Sequence, residues 1–169
     1  IKNLSIKTLD FAVKRMAEII GIFLICLSIL LFLSLVTYSP EDPNFMFNEN
    51  IEIKNLLGFR GSYSSDLLFQ SVGLISYLIS FTVFFTGINL IKSKNFLIIL
   101  ENIFYGILYT IIGSFFLTSF YPNSFWLYIN GNGGFVGIFL QSTFLTNIIN
   151  LNKDIAYFVI FILIVIIFL

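Results

Sequence analysis

The sequence predicts an all-α polytopic membrane bundle: four transmembrane helices plus one interfacial or re-entrant amphipathic helix. Two observations carry this. Apolar runs at residues 19–38, 67–91 and 103–120, and one beginning at residue 155, are separated by short polar breaks. A helix needs about 20 such residues to cover a hydrocarbon core of roughly 30 Å. The chain is also 58% hydrophobic and only 11% charged, with mean hydropathy +0.98. A soluble domain carries about 25% charged residues, so this chain has too few to coat a water-facing surface.

The elements follow in chain order. Residues 1–18 form a basic lead-in, with Lys2, Lys7, Lys14 and Arg15. From Ser5 to Glu18 it reads as an amphipathic helix lying at the membrane surface. The first span covers about 19–38, and Cys26 within it reads as a small packing residue. A polar loop over 39–66 carries Glu41, Asp42, Glu49, Glu52 and Asp66 against Lys54 and Arg60. The second span, 67–91, places Gly73, Ser76 and Ser80 near one face, with Thr82 and Thr86 following at helical spacing. Small residues let membrane helices approach closely. A short basic break with Lys92 and Lys94 precedes the third span, 103–120, where Gly106 and Gly113 lie seven apart. Glu101 stands near the start of that helix, beside the headgroups, where the helix dipole favours an anion and the side chain can snorkel.

Residues 135–149 are apolar but interrupted by Gln141, Ser142, Thr143, Thr146 and Asn147. At about 1.5 Å per residue this stretch reaches roughly 22 Å, short of a full crossing. It is therefore the interfacial or re-entrant helix, and the fourth span runs over 155–169. The rival count makes it a fifth crossing. An internal echo favours the first count. Gly61 to Gln70-Ser71 leads into the second span, and Gly133-Gly134 to Gln141-Ser142 precedes the fourth.

Lys and Arg concentrate on the cytoplasmic side of a membrane. The basic lead-in and the Lys92/Lys94 break therefore face the cytoplasm, and the 39–66 and 122–134 loops face outward. Tyr38, Tyr63, Tyr121, Trp126 and Tyr128 fall at the predicted outer boundary, as an aromatic belt does. The chain opens on Ile1 and reaches Leu169 inside an apolar run, so a fragment of a longer protein is expected.

Most chemistry is excluded. With no histidine and one cysteine, zinc spacing is impossible. No Gly-rich loop ending in Gly-Lys-Ser/Thr cradles a phosphate. No basic patch is large enough for nucleic acid. No catalytic, cofactor-binding or metal residue is expected in this segment.

One constellation goes further: Tyr38-Ser39-Pro40-Glu41-Asp42-Pro43, then Asn55-Leu-Leu-Gly58-Phe-Arg-Gly61, then Asp66-Leu-Leu-Phe69. Physically, Pro40 and Pro43 stop a helix and bias their predecessors to extended backbone. That alone makes the segment a helix terminator. The pattern also resembles the N-terminal four-span membrane domain of FtsK/SpoIIIE-type DNA translocases, and the Gly133-Gly134 turn followed by an amphipathic stretch fits as well. Where that family usually has alanine after the second glycine of the turn, Ser62 stands here. The resemblance implies an inner-membrane anchor for a cytoplasmic, hexameric, ATP-driven double-stranded DNA motor at the division septum. Its signature residues (Tyr38, Ser39, Pro40, Asp42, Pro43, Asn55, Gly58, Gly61, Asp66, Gly133 and Gly134) would be structural or contact septal membrane proteins. ATP, Mg and DNA would belong to the motor, outside this chain. The competing readings are a small transporter or channel subunit and an envelope scaffold without a motor.

Overall fold

The computed structural model describes residues 2–43, 52–124, 127 and 129–169, with side chains from Thr8 onward. Trp126 and Tyr128 of the expected aromatic belt, and Glu49 of the polar loop, lie outside the described residues. Among the described residues all regular structure is helical: α1 (Lys2–Val36), α2 (Gly58–Val72), a single 3₁₀ turn (Gly73–Ile75), α3 (Ser76–Ser93), α4 (Leu97–Phe120), α5 (Gly134–Gln141), α6 (Leu145–Leu151) and α7 (Lys153–Phe168). Three helical stretches are long and apolar enough to cross a bilayer: Thr8–Val36, Gly58–Ser93 and Leu97–Phe120. The result is a helical membrane bundle.

The structure differs from the sequence expectation in three stretches of helix and at one side chain. The lead-in and the first span are one helix, because no proline or paired glycine interrupts residues 2–36. The second helical stretch begins at Gly58, inside the expected 39–66 loop, and breaks at Gly73, whose φ is +67°. The expected helix over 135–149 is two helices, α5 and α6, bent by 74°. Bent this far, the pair reaches less than the roughly 22 Å of a straight helix of that length, which favours a surface or re-entrant placement over a fifth crossing. Cys26 is exposed rather than packed, so its side chain faces outward from the bundle.

The helices pack in antiparallel pairs. α1 and α3 cross where Gly21 meets Gly87: a Cβ on Gly21 would stand 2.8 Å from the Gly87 carbonyl, and one on Gly87 2.7 Å from that of Gly21. Backbone contact of this kind is how membrane helices gain packing without a hydrophobic driving force. Ser76 and Ser80 are buried between helices and turn their hydroxyls onto nearby carbonyls, that of Gly73 in the 3₁₀ turn and that of Tyr77 in α3. α3 meets α4 through a polar seam. Thr82 and Tyr109 share a 2.8 Å hydrogen bond, and Asn102 Nδ2 donates to Thr86 Oγ1 at 2.7 Å. Gly113 of α4 packs on Ile75, with an added Cβ only 2.5 Å from Cδ1, whereas one on Gly106 would make only ordinary contact with the Tyr109 ring at 3.9 Å. Glu101 is exposed on the second turn of α4.

α7 returns along α4. Tyr157 meets Tyr121 through a 2.9 Å hydroxyl contact and packs against Phe116 and Phe120, while Phe168, eleven residues on, meets Tyr109. The chain thus runs from the Tyr121 end back toward the end marked by Lys92 and Lys94. At that basic end Lys94 pairs with Glu18 at 2.7 Å, and Arg15 pairs with the same carboxylate. The opposite end, where α1 stops and α2 begins, holds the Tyr38–Pro43 segment.

Candidate functional site

The signature end is built around the unfinished terminus of α1. A helix leaves its last four carbonyls without intrahelical donors. Here several of them find partners. Thr37 Oγ1 donates to Leu33 O at 2.7 Å, Asn55 Nδ2 to Ser34 O at 2.9 Å and Tyr77 OH to Leu35 O at 3.3 Å. Pro40 cannot extend the helix, so the chain turns, closed by Asp42 N–H on Ser39 O at 3.2 Å. Pro40 itself is exposed and Pro43 is buried.

That turn delivers Asp42 to the interior, where it is 4% exposed. Its two carboxylate oxygens accept the backbone N–H groups of Lys54 and Asn55, both at 2.9 Å. Both partners are fixed main-chain donors, so the carboxylate clamps residue 42 to residues 54–55 across the loop. Asn55, also 4% exposed, works both ways. Its amide nitrogen caps α1, and its Oδ1 accepts from Leu57 N–H at 3.1 Å, an Asx turn that starts α2. Gly61 is required beside it: a Cβ there would stand 2.1 Å from Asn55 Oδ1. The Gly61 carbonyl accepts from Ser34 Oγ at 2.7 Å, tying α2 back to α1. Gly58, at φ +62°, opens α2 with nothing near its missing side chain. Ser62, in the position usually held by alanine, is buried and donates to Pro43 O at 2.8 Å. The departure from the pattern therefore adds a tie to the same turn.

Tyr38 completes this clasp. Its ring packs on Phe69 at 4.9 Å and its hydroxyl donates to Asp66 Oδ1 at 3.0 Å. Burial first, then the Asp66 charge and hydrogen bond, push the phenol well above its ordinary range. Outside the clasp, Glu41 and Lys54 form an exposed ion pair that lowers the carboxyl and raises the ammonium through their mutual hydrogen bond. Leu56 and Phe59 stand exposed beside it.

Gly133 and Gly134 are not part of the clasp. They lie where α5 crosses the α2–α3 break. Gly134 has φ +65°, and a Cβ on it would meet Gly73 N at 2.5 Å and Val72 N at 2.6 Å. A Cβ on Gly73 would meet Asn132 O at 1.9 Å, and one on Gly133 would meet Thr118 Oγ1 at 1.9 Å. Two hydrogen bonds lock the crossing: Leu74 N–H to Asn132 O at 2.9 Å and Ser114 Oγ to Val72 O at 3.0 Å. Next to it, Asn130 Nδ2 donates to both Gln70 O and Gln70 Oε1 at 3.1 Å.

A sequence model described as the 4TM region of DNA translocase FtsK/SpoIIIE matches residues 13–169. The chain belongs to this family. A DNA translocase FtsK of Bradyrhizobium diazoefficiens is 31% identical over 124 residues, 73% of this chain and 15% of that protein. One from Azospirillum brasilense is 32% identical over 90 residues, 52% of this chain and 14% of that protein. One from Rickettsia bellii is 38% identical over 60 residues, 36% of this chain and 8% of that protein. The chain thus spans a small fraction of the curated relatives it matches. No solved structure matches it. This FtsK membrane region is a multi-pass inner-membrane segment in contact with lipid.

Within this FtsK region, nine of the eleven residues singled out from sequence fall in one cluster, and Gly133 with Gly134 fall in another. Sequence reasoning passed over Ser34, Ser62 as a bonding residue, Gly73 as a chain break, Ser114 and Asn132. The echo between Gln70-Ser71 and Gln141-Ser142 held part of the signal. It marks the ends of α2 and α5, the two helices that meet at the glycine crossing. Among the described residues no group of three or more Cys, Asp or Glu could hold a metal ion. The Asp42 carboxylate is engaged by main-chain donors, which suits it to holding a loop.

Proposed function

We propose that this segment is the membrane anchor of a septal DNA translocase. It tethers a cytoplasmic, ATP-driven motor for double-stranded DNA, borne on sequence beyond this chain, for chromosome segregation at cell division. Family membership supports the motor. The observation that carries the anchor reading is the direction of α7. Its contacts run from Tyr121 at the signature end to Tyr109, so it heads toward the end where Lys94 meets Glu18. With α7 as a fourth crossing, both termini lie on the basic side, which the charge bias assigns to the cytoplasm. That is where a motor needs ATP and the chromosome. The segment contributes position and no catalytic residue. ATP and Mg belong to the motor, whose hexameric assembly would bring copies of the anchor together. The clasp holds Pro40, Glu41, Leu56 and Phe59 on the outer face, as a surface for septal membrane proteins. Transport has less support: of the polar groups along the cavity beside α3 and α4, Thr82 bonds to Tyr109 and Asn102 to Thr86.

Paired topology reporters test the anchor. Fusions after Leu169 should be active only with a cytoplasmic reporter, and fusions at Asn152 only with an external one. An external Leu169 fusion would overturn the reading, since a motor attached there could reach neither ATP nor DNA.

A further inference from the structure

α1 and α4 both pack along α3, but they do not close on each other. A cavity of about 550 Å³ runs between them. Leu24 and Leu27 of α1 form one wall, Ile79 and Val83 of α3 the floor, and Ile103 and Ile107 of α4 the other wall. All six lie in helical stretches long and apolar enough to cross a bilayer. The long side of the groove is open, since Leu27 is 44% exposed, Ile103 54% and Ile107 55%.

The groove has a direction. Along α4 it runs from Ile99 to Ile111. That is about 18 Å at 1.5 Å per residue, more than half of a hydrocarbon core of roughly 30 Å. It starts just past the turn that bears Lys94, and the exposed Lys92 stands at that end. It stops against Val72 and Val136, where α5 crosses the α2–α3 break.

Its lining suits hydrocarbon. Thr82 Oγ1 donates to Leu78 O at 3.0 Å and shares a hydrogen bond with Tyr109. Thr86 Oγ1 donates to Thr82 O at 2.6 Å and accepts from Asn102 Nδ2. These bonds spend the polar groups within the protein. Water needs several polar partners to stay in such a place. Left empty, the walls would forfeit their dispersion contacts. A helix is too thick: about 10 Å across and 18 Å long, it would fill roughly 1,400 Å³, more than twice the space. A single acyl chain is slim enough, and lipid tails, as apolar as leucine, are the medium on the open side.

We propose that this groove binds one phospholipid of the leaflet on the Lys92 and Lys94 side. One acyl chain lies between α1 and α4 and ends at Val72 and Val136. The phosphate stands at the level of Lys92, whose long side chain reaches the headgroups. The held chain then does the packing that joins α1 to α4. The site is independent of the motor and of which face is cytoplasmic.

The test reconstitutes the full-length protein in vesicles of phosphatidylethanolamine and phosphatidylglycerol that carry a diazirine on one acyl chain. The protein is re-extracted in detergent, freed of loose lipid by size exclusion, and only then irradiated. Label should appear on residues 99–111 at least about five-fold above the exposed α7 face of Phe158, Ile162 and Ile166, because held lipid outlasts lipid that exchanges freely with detergent. Gly106→Phe fills the groove. A Cβ there meets nothing closer than the Tyr109 ring at 3.9 Å, so the new side chain enters the groove without displacing a helix. It should cut the label on residues 99–111 at least about five-fold, and the smaller Gly106→Leu should cut it too. Cys26→Phe, at an exposed position outside the groove, should leave it unchanged. Monodisperse elution confirms that each variant is folded, and Gly106→Leu decides the matter should Gly106→Phe aggregate. Equal label on residues 99–111 and on α7, or no label retained, overturns the proposal. So does label that survives the folded Gly106 variants or that Cys26→Phe removes equally well.

Discussion

Two crossings do the same mechanical work in this molecule by opposite means. At the signature end, side chains hold α1, the 39–57 loop and the start of α2 together. Asp42, Asn55, Ser34, Ser62 and Tyr38 each reach across the chain to a main-chain or carboxylate partner. At the glycine crossing, α5, the α2–α3 break and α4 are held by the absence of side chains. Gly73, Gly133 and Gly134 let three backbones meet. The first arrangement is a network of satisfied polar groups, costly to break but tolerant of small shifts. The second is a steric fit with nowhere for an extra atom to go. They should fail differently.

The glycine crossing should fail hardest. Gly134→Ala combines left-handed backbone strain with a clash against main-chain nitrogens that no rotamer relieves. Strain and overpacking together are expected to cost about 2–6 kcal/mol. Thermal unfolding in detergent micelles, followed by size-exclusion chromatography, would measure it. Gly58→Ala is the control that isolates the two effects: the same sign of φ but open space, so an expected loss of only about 1–2 kcal/mol from strain. If the two variants unfold alike, the close approach at Gly134 is not what holds the crossing.

The polar clasp comes next. Asp42→Ala leaves the N–H groups of Lys54 and Asn55 without their acceptor in a buried site, for a loss on the order of 2–4 kcal/mol. Susceptibility of the 39–57 loop to protease in intact vesicles would report it. Asp42→Asn should retain part of the stability, because one amide oxygen can still accept. Full retention would show that the carboxylate charge is unimportant.

Tyr38→Phe removes a single hydroxyl and should cost about 1 kcal/mol. The phenol also has a pH signature. Its folded-state pKa is raised by burial and by Asp66. Its stabilising contribution is therefore complete below the ordinary tyrosine range, about 10, and is lost only as pH rises through the higher folded value. Difference absorbance between the wild-type protein and Tyr38→Phe at pH 11 should show no phenolate from Tyr38 while the protein stays folded. A phenolate band there would mean the ring is solvated.

The smallest effect is expected at the exposed Glu41–Lys54 pair. Glu41→Gln should leave unfolding unchanged within error at neutral pH, because such pairs are screened by solvent. The carboxyl is lowered by Lys54, so any contribution is present above the ordinary Glu range and fades as pH falls through the lowered value. A large loss in this variant would mean the ion pair, and not Asp42, holds the loop.

Much of this architecture was legible before any coordinates. The apolar runs marked the spans because a bilayer core of fixed thickness imposes a length on any helix that crosses it. Pro40 and Pro43 marked the end of α1 because proline lacks the N–H that a helix needs. The start of α2 at Gly58 was hidden, since residues 58–66 look polar and loop-like until Asn55 initiates the helix and Ser62 and Ser65 turn inward. Cys26 was misjudged for a related reason. An apolar helix carries no pattern that distinguishes its lipid face from its packed face.

The sequence by itself determined the class of environment, the helical content and the identity of the signature residues. These depend on composition, periodicity and residue type, all of which are local. Only the tertiary structure decided who meets whom. It brought Asp42 to residues 54 and 55, placed Gly134 against Gly73, and extended α1 past the α3–α4 turn. Those pairings span 12 to 61 positions of chain, and no local preference specifies them. They are chosen because buried main-chain groups must find partners and because only glycine leaves room where backbones cross.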